Sequence, residues 1–394
     1  MYDVENGVLK TFNEKAKYPG TAILDNSVTK IGEYAFSECK KVTGVILPSS
    51  LNEISDRAFA NSYIREIEIP NNIKRIGKEA FAGCRFLESI KIPWTVTEID
   101  DGAFLNCEGL KNIVFYGTIA KLTTNVFKGC QNLREISIPE SVTEICAGAF
   151  SGCSRLKTIV IPNSVTSIGD EAFAYCRSLQ SFVCSKNVST IGGGAFRDCM
   201  ELENIILSCN ISTISKEMFA NCTGLKNVII NSNVKNVDME AFIHCENLEN
   251  VIFSEELEYI GKLAFWGCEK LKNIIISQTP IDNIENVSNR KRKEVYDFML
   301  RAAEKFIKDT DVFQMVYSWG CYNMKFVADR ANYGIFSIYG CDEDEVVHSE
   351  QPLYTGNIEG IAGYLNDKRN VENVMRQVCY HKRYLPDKLN ENNK

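Results

Sequence analysis

Ten cysteines hold one place in a recurring pattern: Cys39, Cys84, Cys107, Cys130, Cys153, Cys176, Cys199, Cys222, Cys245 and Cys268, each three residues after a phenylalanine. A regular array of thiols suggests nucleophilic chemistry, a disulfide framework or a soft-metal site. A disulfide needs Cβ atoms converging to roughly 3.5–4.5 Å, whereas equivalent residues of stacked repeats point the same way. A metal needs ligands meeting at one point, and the chain adds only His244, His348 and His381 to its thiols. Buried thiols without electropositive neighbours are inert. The column therefore reads as architecture, a small and weakly donating side chain in a tight turn. Cys146, Cys184, Cys209, Cys321, Cys341 and Cys379 lie outside it and show no paired spacing. Sixteen mostly reduced thiols fit a reducing compartment.

Other chemical candidates gather after residue 280. Cys321 or Cys341 with His348 has the composition of a nucleophile and base, and Asp342-Glu343-Asp344-Glu345 that of a cation site. The blander readings are stronger. Both cysteines adjoin a glycine at a strand end, and the acidic run lacks the alternating ligands and turn glycine of a calcium loop. Arg290-Lys291-Arg292-Lys293 opens a helix, where the dipole disfavours cations, and reads as a solvated face. No phosphate loop, Gly-x-Ser-x-Gly or His-Glu-x-x-His is present. No catalytic residue, metal ligand or cofactor is assigned, and the chain is expected not to be an enzyme.

What positions the thiols is a repeat. Phe36, Phe59, Phe81, Phe104, Phe127, Phe150, Phe173, Phe196, Phe219, Phe242 and Phe265 are spaced by 23, 22 and then 23 residues throughout, defining eleven units. Ser62 replaces cysteine in the short second unit. Six places after the phenylalanine stands an aliphatic residue, leucine from Leu87 to Leu271. The ninth and eleventh places are apolar, as in Ile90 and Ile92, and proline often follows, as in Pro93 and Pro162. Leu-x-x-Ile-x-Ile alternates with period two and is rich in β-branched residues, so it predicts a short strand closed by proline. Val-x-x-Ile-Gly is a second extended piece. Ala-Phe-x-x-Cys, too short for an independent helix, is expected to form one helical or 3₁₀ turn. Such a unit cannot bury its apolar edge alone, but stacked copies form a continuous core with strands about 4.8 Å apart.

These columns resemble the BspA-type leucine-rich repeats, whose pattern is Ile-Gly-x-x-Ala-Phe-x-x-Cys-x-x-Leu-x-x-Ile-x-Ile-Pro-x-x-Val-x-x-Ile. IGDEAFAYCRSL (168–179) and CSRLKTIVIPNSVTSIG (153–169) match it closely, and the likeness runs over about residues 20–277. The resemblance implies an α/β repeat solenoid, a right-handed leucine-rich-repeat superhelix, and a role in adhesion or recognition at a host surface. Ser185, Ser208, Asn231, Ser254 and Ser277 depart from it where the closing proline is expected. VENGVLK (4–10) also looks like the start of such proteins, with Asn6-Gly7 as a hairpin signal. The expected organisation is a hairpin cap over 1–24, a solenoid over 25–279 and an α+β module with a polar tail over 280–394. In that module a helix is expected over 288–308, from Val295, Phe298, Met299, Ala302, Ala303, Phe306 and Ile307 at helical spacing. Strands are expected over 312–319, 322–329, 333–340 and 345–349, and helices over 358–364 and 371–378.

Net charge is −7. Residues 289–394 carry 16 basic and 16 acidic side chains, so the acidity lies in the repeats, which make a poor phosphate binder; nucleic acid is not an expected partner. The longest aliphatic runs are far too short to span a bilayer, and MYDVENGVLK has no basic region before an apolar stretch. The sequence as given reads as cytoplasmic; a removed leader would make it a cell-surface or secreted protein.

One feature exceeds the repeat pattern. The eighth and tenth places of each strand face away from the core, onto a face expected to be concave. The tenth place runs Glu68, Lys91, Val114, Ser137, and from there onward Val160, Val183, Ile206, Ile229, Ile252 and Ile275. The eighth place becomes an asparagine ladder of Asn204, Asn227, Asn250 and Asn273. Covering six such aliphatics would contribute on the order of 9–18 kcal/mol gross, at about 1.5–3 kcal/mol each. The stripe has three readings: β-branched residues that simply suit a strand and are partly shielded by neighbouring long side chains, the 288–308 helix folding back, or a separate protein. Under the second, the free recognition face is the polar part at Glu68, Lys91 and Ser137. The function expected is non-enzymatic recognition or adhesion, with a protein ligand first and a glycan second. The alternative is a small catalytic or effector module at 280–394 targeted by the solenoid.

Overall fold

The computed structural model describes residues 2–12, 20–207, 209–230, 234–254, 256–271 and the strands Asn273–Ser277, Gln314–Trp319, Tyr322–Ala328, Phe336–Cys341 and Tyr354–Gly356. For Ser254, and beyond Leu271 except Ile274, the description is of backbone course and pairing. The expected helices over 288–308, 358–364 and 371–378 and the strand over 345–349 lie outside the described residues.

The repeat winds as a β-solenoid whose turns stack in register. On one side the Leu-x-x-Ile-x-Ile segments pair in parallel; Asn227, Val228 and Ile229 lie opposite Asn250, Val251 and Ile252. The alternation does what period two requires: Ser89 and Lys91 are exposed while Ile90 and Ile92 are buried. This side is interrupted between Glu66–Ile67 and Ser89–Ile92, on either side of the fifth unit, and between Ser181–Val183 and Asn204–Leu207. The fifth unit, 133–139, carries no paired strand, unlike the sequence expectation. On a second side the Val-x-x-Ile segments pair as two-residue strands, Glu144–Ile145 against Ser167–Ile168 and its successors.

The third side is the Ala-Phe-x-x-Cys segment, and here the expected helical turn is not what forms. Each unit has left-handed backbone two residues before and two residues after its phenylalanine, as at Tyr34 (φ 58°) and Glu38 (φ 58°), or Gly148 and Gly152. The intervening N–H groups close turns with a carbonyl three residues back, Ala35 to Gly32 (3.3 Å) and Cys39 to Phe36 (3.2 Å). That pattern is a pair of type II-like turns, with φ above zero at the third position. The alternate N–H groups point along the solenoid axis to the next unit: Arg57 to Lys78 (2.8 Å), Phe59 to Ala80 (2.8 Å) and Asn61 to Ala82 (2.7 Å). A helix would direct all of them inside one turn and leave neighbouring turns unpaired.

Inside, the eleven phenylalanines form one stack. Ring centroids of successive units lie 4.9 Å apart at Phe36–Phe59, 5.7 Å at Phe104–Phe127 and 5.0 Å at Phe242–Phe265, with the planes within about 25° of parallel. Phe12 extends the stack at 4.8 Å from Phe36, and Tyr2 lies 6.5 Å beyond it. The sequence signal for Phe12 was its position 24 residues before Phe36.

The N-terminal strands Tyr2–Glu5 and Val8–Phe12 pair antiparallel about Asn6 (φ 48°) and Gly7 (φ 79°), two left-handed residues in the manner of a type I′ turn. Val8–Phe12 then starts the second-side sheet against Lys30–Ile31. Gly20–Ile23 starts the first-side sheet, with Ile23 opposite Ile46. At the other end, Gln314–Trp319 adds in parallel to Asn273–Ser277, and Tyr322–Ala328, Phe336–Cys341 and Tyr354–Gly356 continue that sheet antiparallel. Among the described residues no helix is long and apolar enough to cross a membrane.

Leu263 holds one left-handed place (φ 59°) with a side chain that disfavours it. Leu263→Gly is expected to stabilise the chain by about 0.5–1 kcal/mol after the entropic cost of glycine. A urea midpoint that moves up with unchanged slope is the expected readout; a fall would mean that the Leu263 contacts outweigh its backbone strain.

Candidate functional site

The thiol column is settled by its partners. Each described column sulfur from Cys84 onward donates to the carbonyl of the phenylalanine in the preceding unit, Cys84 to Phe59 and Cys107 to Phe81 at 3.1 Å, and Cys268 to Phe242 at 3.0 Å. Ser62, at the cysteine place of the short unit, lies 3.4 Å from the Cys84 sulfur. Burial pushes Cys84, Cys130, Cys176 and Cys222 up to about 12. A thiol so raised holds no nucleophilic anion near neutral pH. Cys146 is different: it stands where other units have Gly169 or Gly192, is half-buried, and is pushed up to about 11, first by burial and then by Glu144. Among the described residues no three His, Cys, Asp or Glu side chains gather as a metal site.

A raised thiol pKa is also a stability statement. Folded column thiols keep their protons to about pH 12, whereas unfolded ones lose them near pH 8.5. The unfolded state then binds fewer protons, so stability is fully present below about pH 8.5 and falls as pH rises toward 12, by about 1.4 kcal/mol per pH unit for each such thiol. A melting temperature that drops steeply above about pH 9, with ultraviolet thiolate absorbance appearing only on unfolding, is the expected result. Gradual thiolate formation in the folded chain would contradict it.

The surface with recognition geometry is the exposed strand face. Val160 is 66% exposed, Val183 58% and Ile206 53%, while Ile229 and Ile252 are half-buried. Asn273 and Ile275 continue the register opposite Asn250 and Ile252, and their side chains lie outside the description. The aliphatic row extends to the other end of the face as Ile23 and Ile46, interrupted by Glu68, Lys91 and Ser137, all exposed. The asparagines form a linked rail: Asn227 Nδ2 donates to Asn204 Oδ1 and Asn250 Nδ2 to Asn227 Oδ1, both at 2.9 Å. Each link spends one amide hydrogen and one lone pair, fixing the side chains at the 23-residue spacing.

A groove of about 740 Å³ crosses this face over units three to six. Lys91, Asn112, Val114, Ser137, Thr158 and Val160 line it, together with Glu140 and Pro162. It therefore joins Lys91 and Ser137, expected as the polar end, to Val160, expected as the start of the stripe, in one depression; Glu68 lies outside its lining. The centre of the groove is the fifth unit, where strand pairing lapses. Trp94 (66% exposed) and Tyr116 (61% exposed) hold, in units three and four, the places of Glu140 and Pro162 respectively. Gly117 packs against the Trp94 backbone, where a Cβ would come within 2.8 Å of its carbonyl oxygen. Sequence reasoning left out Asn112, Thr158, Trp94 and Tyr116. The first two were legible as the upstream members of the eighth-place column and Tyr116 as a break in the proline column, whereas Trp94 belongs to a turn place whose residue varies from unit to unit.

An open, rigid strand face on a solenoid with no assembled catalytic cluster among its described residues defines a repeat scaffold. The model of the BspA type leucine rich repeat region matches residues 10–134, 120–249 and 213–310, in six copies, and the chain belongs to this family. Among solved structures, a leucine-rich repeat protein from Bacteroides ovatus is 25% identical, covering 73% of this chain and 94% of that one, with a TM-score of 0.45. A leucine rich cell surface protein from Faecalibacterium prausnitzii is 25% identical over 71% of this chain and 93% of that one (TM-score 0.42). A leucine-rich repeat protein from Eubacterium ventriosum is 21% identical over 72% and 92% (TM-score 0.43). Among curated proteins, none matches the chain. The family assignment stands on the repeat columns.

Proposed function

We propose that the chain is a non-enzymatic recognition scaffold that holds a protein ligand on its strand face, centred on the groove and running along the Val160, Val183 and Ile206 stripe. One observation carries this reading: Val160, Val183 and Ile206, each more than half exposed, hold the same place in successive units, and Val160 also lines the groove that Lys91, Asn112, Ser137 and Thr158 line. Contiguous exposed apolar patches of this kind mark interaction sites more often than they mark idle surface. Lys91, Asn112, Ser137 and Thr158 supply the few placed polar contacts that fix register, and the aliphatics supply the desolvated centre. A second reading, a glycan ligand, draws on the exposed rings of Trp94 and Tyr116, suited to a sugar's apolar face. The C-terminal residues 280–394 are assigned no activity in this reading.

The test uses a photo-crosslinking residue at Val114 in the full chain, with an equivalent probe at Glu98 on the second-side ladder. A saturable adduct with one protein species is expected at Val114 alone, competed by unmodified chain. Val160→Asp with Val183→Asp should weaken that adduct at least tenfold while leaving the thermal melt in place. Equal adducts from both probes, or an aspartate pair without effect, would refute the strand-face reading. Competition by soluble oligosaccharide and not by protein would favour the glycan.

A further inference from the structure

The first-side sheet has an unfinished end. Its outermost strand among the described residues is Gly20–Ile23, paired on one side only, with Val42–Ile46. Leu24 donates its N–H forward to Ile46 (3.1 Å). Backbone groups of successive strand residues point to alternate sides, so Ala22 also faces forward, while Thr21 and Ile23 turn their N–H and C=O groups to the open side. In later units such groups reach back to a preceding strand, as the Tyr116 N–H does to Ile92 (2.9 Å). Beyond 20–23 no described strand stands there. Tyr2–Glu5 fills the same level on the second side and the Tyr2 ring lies beyond Phe12, which leaves room for a single strand and not for a whole turn of another copy. Ala22, buried beneath the edge strand, holds a place that carries valine, isoleucine or phenylalanine in every later unit, from Val45 to Ile274, so a strand added beside it can carry a large inward side chain. Ile23, at 68%, is the most exposed large apolar residue among those described. Asp25, exposed just past the strand, accepts from the Ser27 N–H (2.8 Å) and the Tyr2 hydroxyl (2.7 Å), and the Ser27 and Tyr2 hydrogen bonds hold its carboxyl below the usual carboxylate range.

We propose that the Gly20–Ile23 edge is a second binding site, separate from the groove, that takes an extended segment of a partner protein as an added strand. Backbone pairing to Thr21 and Ile23 supplies the hold, an apolar side chain beside Ala22 sets the register, and a lysine or arginine meets Asp25. An extended peptide is the ligand whose donors and acceptors repeat at the spacing of this edge. Neither Ala22 nor Ile23 lines the groove.

The probe is the peptide Lys-Thr-Ile-Thr-Ile-Thr-Lys, with a lysine at each end so that either strand direction brings one to Asp25. Amide exchange in the full chain is followed residue by residue by nuclear magnetic resonance. The Thr21 and Ile23 amides are expected to exchange fast in the free chain and about tenfold or more slowly with saturating peptide. Methylating the peptide's isoleucine nitrogens should abolish this protection if the added strand is parallel, and methylating its threonine nitrogens if it is antiparallel; the other set is tolerated. Ile23→Pro removes one outward N–H at an edge that tolerates proline, and should lose the Thr21 protection with circular dichroism unchanged. Val160→Asp with Val183→Asp should leave the protection intact, so the edge and the groove stand or fall separately. Slow exchange of both amides in the free chain, which would put residues 13–19 in the slot, would overturn the proposal, as would protection that survives both methylated peptides or no protection at all.

Discussion

The constraint on which the structure depends is that every turn must hand half of its turn-segment N–H groups to the next turn. Around each phenylalanine the chain alternates strictly: one N–H closes a local turn and the next reaches along the axis, as at Ala58 and Phe59. Only a backbone that swings into left-handed space on both sides of the phenylalanine achieves this, and it does so whether the residue is glycine, asparagine, glutamate or leucine. The strain at the non-glycine places is of order 1 kcal/mol each. It is offset because failing to swing would leave axial carbonyls unpaired in every neighbouring turn. The phenylalanine stack and the thiol column follow from that placement. Once the turn is fixed, the ring can only point inward, and the sulfur three residues later lies under the carbonyl of the phenylalanine before it.

Much of this was legible in the residues. A 23-residue period held over eleven units fixes the number of turns, the buried columns and the alternation of the strand face, because each position repeats its environment. The turn geometry was not legible. Gly148 and Gly152 hint at left-handed backbone, but Tyr34, Glu171 and Leu263 at equivalent places conceal it, since tertiary pairing overrides residue preference there. The lapse of strand pairing in the fifth unit has no marker in its sequence, as Ile136, Ile138 and Pro139 follow the rule.

The outward direction of the strand-face side chains was legible in the alternation, and the groove they line was not. Lys91, Ser137 and Val160 were each identifiable by their place in the repeat, yet their union in one groove comes from a local break in the sheet, which no column predicts. Trp94 lies where the repeat imposes least, and residues free of architectural duty are the ones available for recognition. Cys209 makes the same point in reverse. Its place is ordinarily a solvent position, yet Cys209 is buried.

The reversed first strand has a consequence for the molecule among its own copies. A stack of near-identical turns is self-complementary head to tail, and parallel edges left open at its ends would propagate into a filament. Tyr2–Glu5 runs antiparallel to Val8–Phe12, so the edge it offers has the wrong direction to extend the parallel ladder of another copy. Tyr2 also lies beyond the last ring of the stack and ties its hydroxyl to Asp25 at 2.7 Å, placing a polar group beside the end of the ring column. Four residues and one two-residue turn thus work against polymerisation at the hairpin of a chain whose every internal surface is built to add one more turn.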